Sequence, residues 1–181
     1  MPKRPVRRMG SCVLAGSALA VLAIFAPASD AAALVDASCS QRGTITFSPG
    51  LGLVPQPTEA TVSGTLDSCV SGAVVGGTVT GAGSGALGCT TGSVAGTLGF
   101  SWVTRSGDDA QSTVAVRSTQ TAGSTGLALA GTVTSGLFAG DDYTVIFVVN
   151  PLQLLQCFSA QGLTAVSVSA VGVFSRPLLH P

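Results

Sequence analysis

The chain is short of the residues on which most enzyme chemistry depends. It has a single histidine, His180, next to the last of its 181 residues. A Ser-His-Asp triad therefore has no credible base. The GxSxG, HExxH and GxxxxGK motifs are absent, which removes the usual signatures of α/β-hydrolases, zinc proteases and nucleotide-binding loops. We therefore expect a protein that is not an enzyme and that has no cofactor.

Charge is equally scarce, at 9% of the residues. The only lysine is Lys3, and from residue 34 onward four arginines face seven acidic residues. This mildly acidic balance excludes nucleic acid as a partner, because binding requires cations that neutralise phosphates. It also disfavours electrostatic attachment to anionic lipid.

The first 33 residues have the pattern of an export signal. Four basic residues precede an uncharged, mostly apolar run at 13–26, which is followed by small residues. Cleavage after Ala28 or Ala33 fits the small-x-small rule, and Arg7-Arg8 leaves twin-arginine export as an alternative route. The run is shorter than the roughly 20 residues needed to span a bilayer. We predict a secreted protein with one domain at 34–181 and no membrane anchor.

Cysteine spacing favours two structural disulfides. Cys12 precedes the apolar run and is expected to leave with the signal, whereas Cys39, Cys69, Cys89 and Cys157 remain. No CxxC spacing is present, so neither a zinc site nor a thiol-redox site is favoured. A hairpin formed by 40–47 and 60–68 would place Cys39 opposite Cys69 and leave Cys89 for Cys157. The same reasoning also brings Cys69 near Cys89, so the three pairings stay open.

Short alternating segments separated by glycine predict an all-β domain. The chain has no 3.6-residue apolar stripe after the signal. We expect an immunoglobulin-like β-sandwich of about eight or nine antiparallel strands, or alternatively a small β-barrel. A linker at 34–38, a glycine-rich loop at 81–88, a helical turn after Asn150-Pro151 and a strand at 143–149 covered on both faces are also predicted. The predicted strands are 43–47, 60–66, 77–80, 93–103, 112–118, 127–133, 143–149 and 163–174.

The sharpest polar feature is a repeated Gly-Asp-Asp tripeptide. Asp108 and Asp109 follow one glycine, and Asp141 and Asp142 follow another, each pair between predicted strands. Calcium prefers several hard oxygen ligands from loops, so these four carboxylates are the candidate metal ligands. The alternative is that glycine and aspartate are common in hairpin loops.

The aromatic residues have two interpretations. Trp102 and Tyr143 would make a carbohydrate-stacking platform if they were exposed. Core packing is favoured, because large aromatic side chains dominate the core of a small β-domain.

Three segments together resemble a family of small exported proteins from actinobacteria. These segments are Cys39 with 43–51, the run 63–69 ending at Cys69, and the glycine-rich stretch to Cys89 with the Trp102 strand. The family consists of β-domains rich in threonine, glycine and alanine. The resemblance implies a secreted, disulfide-bonded β fold and brings no catalytic residues.

These observations favour a secreted non-enzymatic domain that binds an extracellular protein or glycan through its loops, or has a structural role. One alternative is a hydrolase acting on cell-wall or polysaccharide substrates through carboxylates such as Glu59 and Asp67. Another is a proteinaceous inhibitor that presents a rigid loop at 49–57.

Overall fold

The structure, a computed structural model, describes residues 34–120 and 126–177. The predicted signal at 1–33, Cys12 and His180 lie outside the described residues. The described chain forms eight strands and one short 3-10 helix, η1. These are β1 (Leu34–Leu51), β2 (Gln56–Ser71), β3 (Val74–Leu87), β4 (Gly92–Thr104), β5 (Asp109–Gln120), β6 (Gly126–Gly136), β7 (Asp142–Val149), η1 (Gln153–Phe158) and β8 (Leu163–Arg176).

The strands close into a barrel. Each strand pairs antiparallel with the next one in sequence, and β8 returns to pair with β1. This closing ladder runs from Leu34 opposite Arg176 to Leu51 opposite Leu163. The predicted alternative, a small β-barrel, is therefore the architecture, and the immunoglobulin-like sandwich is not. Closure removes the sheet edges that a sandwich leaves open, and it depends on pairing between the two ends of the chain, which the order of strand patterns does not reveal.

Successive side chains of each strand point alternately into the lumen and to the outside, because the side-chain period of a strand is two residues. In β7, the lumen-facing Tyr143, Val145 and Phe147 are buried. Ile146 and Val148, which alternate with them, are 59% and 67% exposed. The expectation that this strand is covered on both faces is therefore wrong. A barrel with a single wall can bury only one side of each strand.

Two segments expected to lie outside the sheet are strand. Residues 34–38, predicted as a linker, begin β1 and pair with the end of β8. The glycine-rich run 81–88 is mostly the second half of β3, and Gly81, Gly83 and Gly85 alternate in the strand period. A Cβ on Gly81 would lie 2.5 Å from the Leu98 side chain, so glycine at this position allows the neighbouring side chain to pack against the backbone.

The barrel has two ends that differ in composition. We call the end with loops 52–55, 88–91 and 150–162 the apolar end. The opposite end, with loops 72–73, 105–108 and 137–141, the start of β1 and the end of β8, is the charged end. A disulfide joins Cys39 on β1 to Cys69 on β2, and a second joins Cys89 in loop 88–91 to Cys157 in η1. These are the pairs that the hairpin argument favoured.

Among the described residues, no helix has the length and apolar character needed to cross a membrane.

Candidate functional site

Toward the charged end, aromatic side chains fill the lumen. Phe100 stacks on Trp102 with ring centroids 5.3 Å apart, and the edges of both rings meet Phe174 at similar distances. Tyr143 joins the cluster at 4.8 Å from Phe174. Phe138, from loop 137–141, packs its ring edge-on against Trp102. This half of the lumen is a solid core.

The polar groups of the aromatic cluster have partners inside the barrel. Trp102 Nε1 donates to Ser112 Oγ at 2.9 Å, and Gln41 Nε2 lies 3.0 Å from the Tyr143 hydroxyl. Burial raises the pKa of Tyr143 well above its usual value. Trp102 and Tyr143 are at most 1% exposed, so the core interpretation is confirmed and no stacking platform exists at these positions.

Toward the apolar end, small residues leave the lumen partly empty. Ala60, Gly83, Gly96 and Val116 lie opposite one another on β2 to β5 and form one rung of the barrel wall. Phe47 on β1 continues the rung opposite Ala60. Three of these five residues have a methyl group or no side chain, so the rung cannot fill the interior. A small eight-stranded barrel has room for one small ligand when its side chains do not occupy the lumen.

The resulting cavity has a volume of about 80 Å³. It is lined entirely by aliphatic side chains, one phenylalanine and glycines. Phe47, Val62 and Val94 face the lumen and are only half-buried, which shows that the cavity communicates with the surface. The lining includes Ile45, Phe47, Ala60, Val62, Leu98 and Val116.

Two loops frame the mouth of this cavity. Gly88 contributes to the lining, and a Cβ on it would lie 3.0 Å from the Pro55 nitrogen. The Cys89 amide donates to the Gly52 carbonyl at 2.8 Å. The Cys89–Cys157 disulfide then connects this pair of loops to η1. The opening is therefore held by covalent and hydrogen-bonded contacts among the loops at the apolar end.

The apolar end carries no charged residue in loops 52–55, 88–91 and 150–162. Several large apolar side chains point into solvent there instead. Val54 is 76% exposed, Phe158 72%, Leu152 71% and Leu155 63%. Exposed apolar side chains also occur at the charged end, where Val70 is 76% exposed. The absence of charge around a pocket, and not the exposed apolar surface by itself, therefore distinguishes the apolar end.

Most of the charge lies at the opposite end. Asp36, Arg105, Asp108, Asp109, Asp141, Asp142 and Arg176 all lie in or beside the loops and strand ends there. The two aspartate pairs that were the candidate calcium ligands therefore belong to the same end of the barrel. Asp108 accepts a hydrogen bond from Ser106, whereas Asp141 is 4% exposed. Within 34–120 and 126–177, no group of three or more His, Cys, Asp or Glu is arranged to hold a metal ion, and calcium binding stays a prediction.

Asp141 is the most perturbed carboxyl group at this end. Burial raises its pKa, the hydrogen bond and the charge of Asp36 raise it further, and Arg176 acts in the opposite direction. Arg176 binds the Asp36 carboxylate at 3.1 Å and joins the start of β1 to the end of β8. Asp141 Oδ2 has no hydrogen-bond partner. The Gly-Asp-Asp repeat in the sequence made Asp141 a candidate metal ligand, but nothing in the sequence predicted that it lies near Asp36.

The carboxylates considered for hydrolysis lie on the outer wall. Asp67 accepts a hydrogen bond from Arg42 at 2.8 Å, and the Glu59 side chain is exposed. Sequence reasoning missed the cavity itself. The only signal for it was the alternation of Gly81, Gly83 and Gly85, which was interpreted as a loop.

Comparison of the chain with protein-family models, with curated proteins and with solved structures gives no match.

Proposed function

We propose that this chain is an exported, non-enzymatic binding domain whose ligand site is the apolar half of the barrel lumen. The observation that carries the proposal is the cavity behind the rung of small residues. It opens at the end where two loops are fixed by a disulfide. Its lining offers no acid, base or nucleophile, so it fits binding and not catalysis.

The two disulfides and the signal pattern support export. Disulfides persist in oxidising compartments and are rare in the reducing cytosol. Mass spectrometry of the intact, unreduced protein from the culture medium tests this part. We expect a chain that begins at residue 29 or 34, with four fewer hydrogens than the reduced form. A full-length cell-associated chain with free thiols would contradict it.

Xenon binding tests the cavity directly, because xenon enters dry apolar cavities without needing hydrogen bonds. We expect the xenon-129 NMR chemical shift to change with the concentration of the native protein. Ala60→Leu, which points into the lumen, should abolish this change. Ala115→Leu makes the same change on the outer face of β5 and should leave it intact. A native protein that does not bind xenon would overturn the proposal.

One observation bears on the hydrolase alternative. The Asp36 and Asp141 carboxyls face each other in a surface depression that also contains Arg176 and Phe138. The two carboxyls of a glycosidase flank the scissile bond of a sugar bound between them, whereas the Asp36 carboxylate is already bound by Arg176 at 3.1 Å. We therefore favour binding. Release of reducing ends from cell-wall polysaccharide that disappears in both Asp141→Asn and Asp36→Asn would establish the alternative.

A further inference from the structure

The cavity has a feature at its rim that bears on the kind of ligand it accepts. One step closer to the apolar end than the Ala60 rung lies a second rung, formed by Thr58, Gly85, Val94 and Ser118. Thr58 and Ser118 face the lumen and are 3% and 6% exposed. They are the only two hydroxyl groups of this rung, and Val94, which lies between Gly85 and Ser118 in it, contributes to the lining of the cavity.

Both hydroxyl protons are already engaged with the protein. Thr58 Oγ1 donates to the Gln56 carbonyl at 3.1 Å, and Ser118 Oγ donates to the Ala128 carbonyl. A hydroxyl that donates its single proton retains only acceptor lone pairs. The rung therefore offers hydrogen-bond acceptors to a ligand and no side-chain donor.

The lack of cationic residues in the loops of the apolar end also favours a neutral head group that donates a hydrogen bond. The loops around the mouth contain neither arginine nor lysine, and Arg117, next to Ser118 on β5, is exposed on the outer face of the barrel. A carboxylate or phosphate head group would lose its hydration there without gaining a cation or a donor, which is costly in an apolar environment. A neutral group that donates a hydrogen bond loses less and gains an acceptor.

The size of the cavity limits the apolar part of the ligand. An aliphatic cavity of about 150 Å³ holds benzene, and this one is about 80 Å³. The enclosed volume is therefore too small to surround a ring, whereas a straight methylene chain has a narrower cross-section and can extend through the mouth.

We propose, as an extension of the proposed lumen-binding function on which it rests, that the cavity selects neutral straight-chain molecules with a hydrogen-bond-donating head group, and rejects the corresponding anions. The chain occupies the hydrocarbon lining beside Ile45 and Leu98. The head group donates to the hydroxyl oxygen of Thr58 or Ser118. A long-chain alcohol is the simplest member of this class.

Calorimetric titration with 1-hexanol and with hexanoate at pH 7 tests the proposal. These probes share a chain and differ in the head group. We expect hexanol to bind at least tenfold more tightly than hexanoate. Affinity should rise about fourfold for each added methylene from butanol to hexanol, the factor that corresponds to burying one methylene.

Two variants, with Ala115→Leu as a control, test the location of the site and its selectivity separately. Ala60→Leu should weaken hexanol at least tenfold, and Ala115→Leu should not change it. Val94→Lys lies in the hydroxyl rung between Gly85 and Ser118 and should bring hexanoate to at least the affinity of hexanol. The lysine chain is long enough to place its ammonium at the mouth while its stem stays in the lumen.

The outcomes distinguish the two proposals. Hexanoate binding to the native protein as tightly as hexanol would overturn the neutral selectivity while leaving lumen binding intact. Hexanol binding that is unchanged by Ala60→Leu would overturn the lumen as its site. Xenon binding without any alcohol binding would retain the cavity and reject the ligand class. Failure of xenon to bind the native protein would reject the proposed function itself.

Discussion

The two halves of the lumen are built from the same strands, yet one is solid and the other is partly empty. In the half near the charged end, Phe100, Trp102 and Phe174 are at most 1% exposed and contact one another. In the half near the apolar end, the corresponding wall positions are Ala60, Gly83 and Gly96. β4 thus contributes packed rings to the barrel at one end, through Phe100 and Trp102, and lines the cavity at the other, through Gly96.

The difference indicates a division of roles along the barrel axis. The aromatic core and the ion pair between Arg176 and Asp36 hold β1 and β8 together at the charged end. The apolar end can then keep unfilled space, which lowers stability, because the rest of the barrel supplies enough packing.

The largest expected effect comes from making the same substitution in each half. Phe100→Ala should lower the free energy of unfolding by about 3–5 kcal/mol, because it removes a fully packed ring. Phe47→Ala should cost roughly 1–2 kcal/mol, because that ring is half-buried and already borders a cavity. Urea unfolding of both variants measures the contrast. Equal losses would show that the two halves are packed alike.

Removing each disulfide compares the two ends in a different way. Each pair of Cys→Ser substitutions should cost about 2–4 kcal/mol. In the chain-entropy model, loss of the Cys89–Cys157 bridge should cost about 0.7 kcal/mol more, because it closes the longer loop, with a sequence separation of 68 against 30. Only its removal should weaken hexanol binding. Weaker binding after loss of Cys39–Cys69 alone would contradict the assignment of the site to the apolar end.

The pH dependence of stability should arise at the charged end. The folded-state pKa of Asp141 is raised above its ordinary value of 3.8. Its stabilising contribution is therefore complete below pH 3.8 and is lost as pH rises through the folded-state pKa. Asp141→Asn removes the charge, so its stability relative to the native protein should increase from pH 3.5 to pH 7.

Urea unfolding across this pH range measures the effect, and Asp109→Asn, at an exposed carboxylate on the same end, is the matched control. If the difference in free energy of unfolding between the native protein and Asp141→Asn does not change with pH, the predicted effect of the Asp141 pKa is wrong. Hexanol affinity should stay constant from pH 4 to pH 8, because the apolar end has no titratable side chain in its three described loops.

The smallest expected effect is that of calcium. Asp108, Asp109, Asp141 and Asp142 would bind it weakly. At a concentration equal to the Kd, the gain in stability is about 0.4 kcal/mol, or a rise in Tm of about 1 °C. Thermal unfolding in millimolar calcium chloride, with magnesium chloride as the control, measures it. An unchanged Tm at millimolar calcium would discard the site.

The sequence predicted the strands more completely than their arrangement. Alternation at 143–149 and 163–174 located β7 and β8, because a strand period is a local property. Barrel closure depends on pairing between residues as distant as Leu34 and Arg176, which no local pattern encodes. The glycine content of 81–88 predicts a loop because glycine is common in turns, whereas in the structure its alternating glycines face the lumen.

The candidate site was the least predictable part. An unfilled volume depends on which small residues of five strands share a rung, and that in turn depends on register. The Gly-Asp-Asp repeat indicates a possible site at the charged end because carboxylates can bind metal ions. The apolar end is distinguished only by small residues in the lumen and by loops without charge.

The most direct test of lumen binding is a methyl-resolved NMR titration of the native protein with 1-hexanol. If the ligand occupies the cavity, the chemical shifts of the Ile45, Leu98 and Val116 methyls change saturably. The methyls of Val74 in the charged half, and of Ile146 on the outer wall, should not move. Shifts confined to Ile146 and its exposed neighbours, with the cavity methyls unchanged, would contradict binding in the lumen.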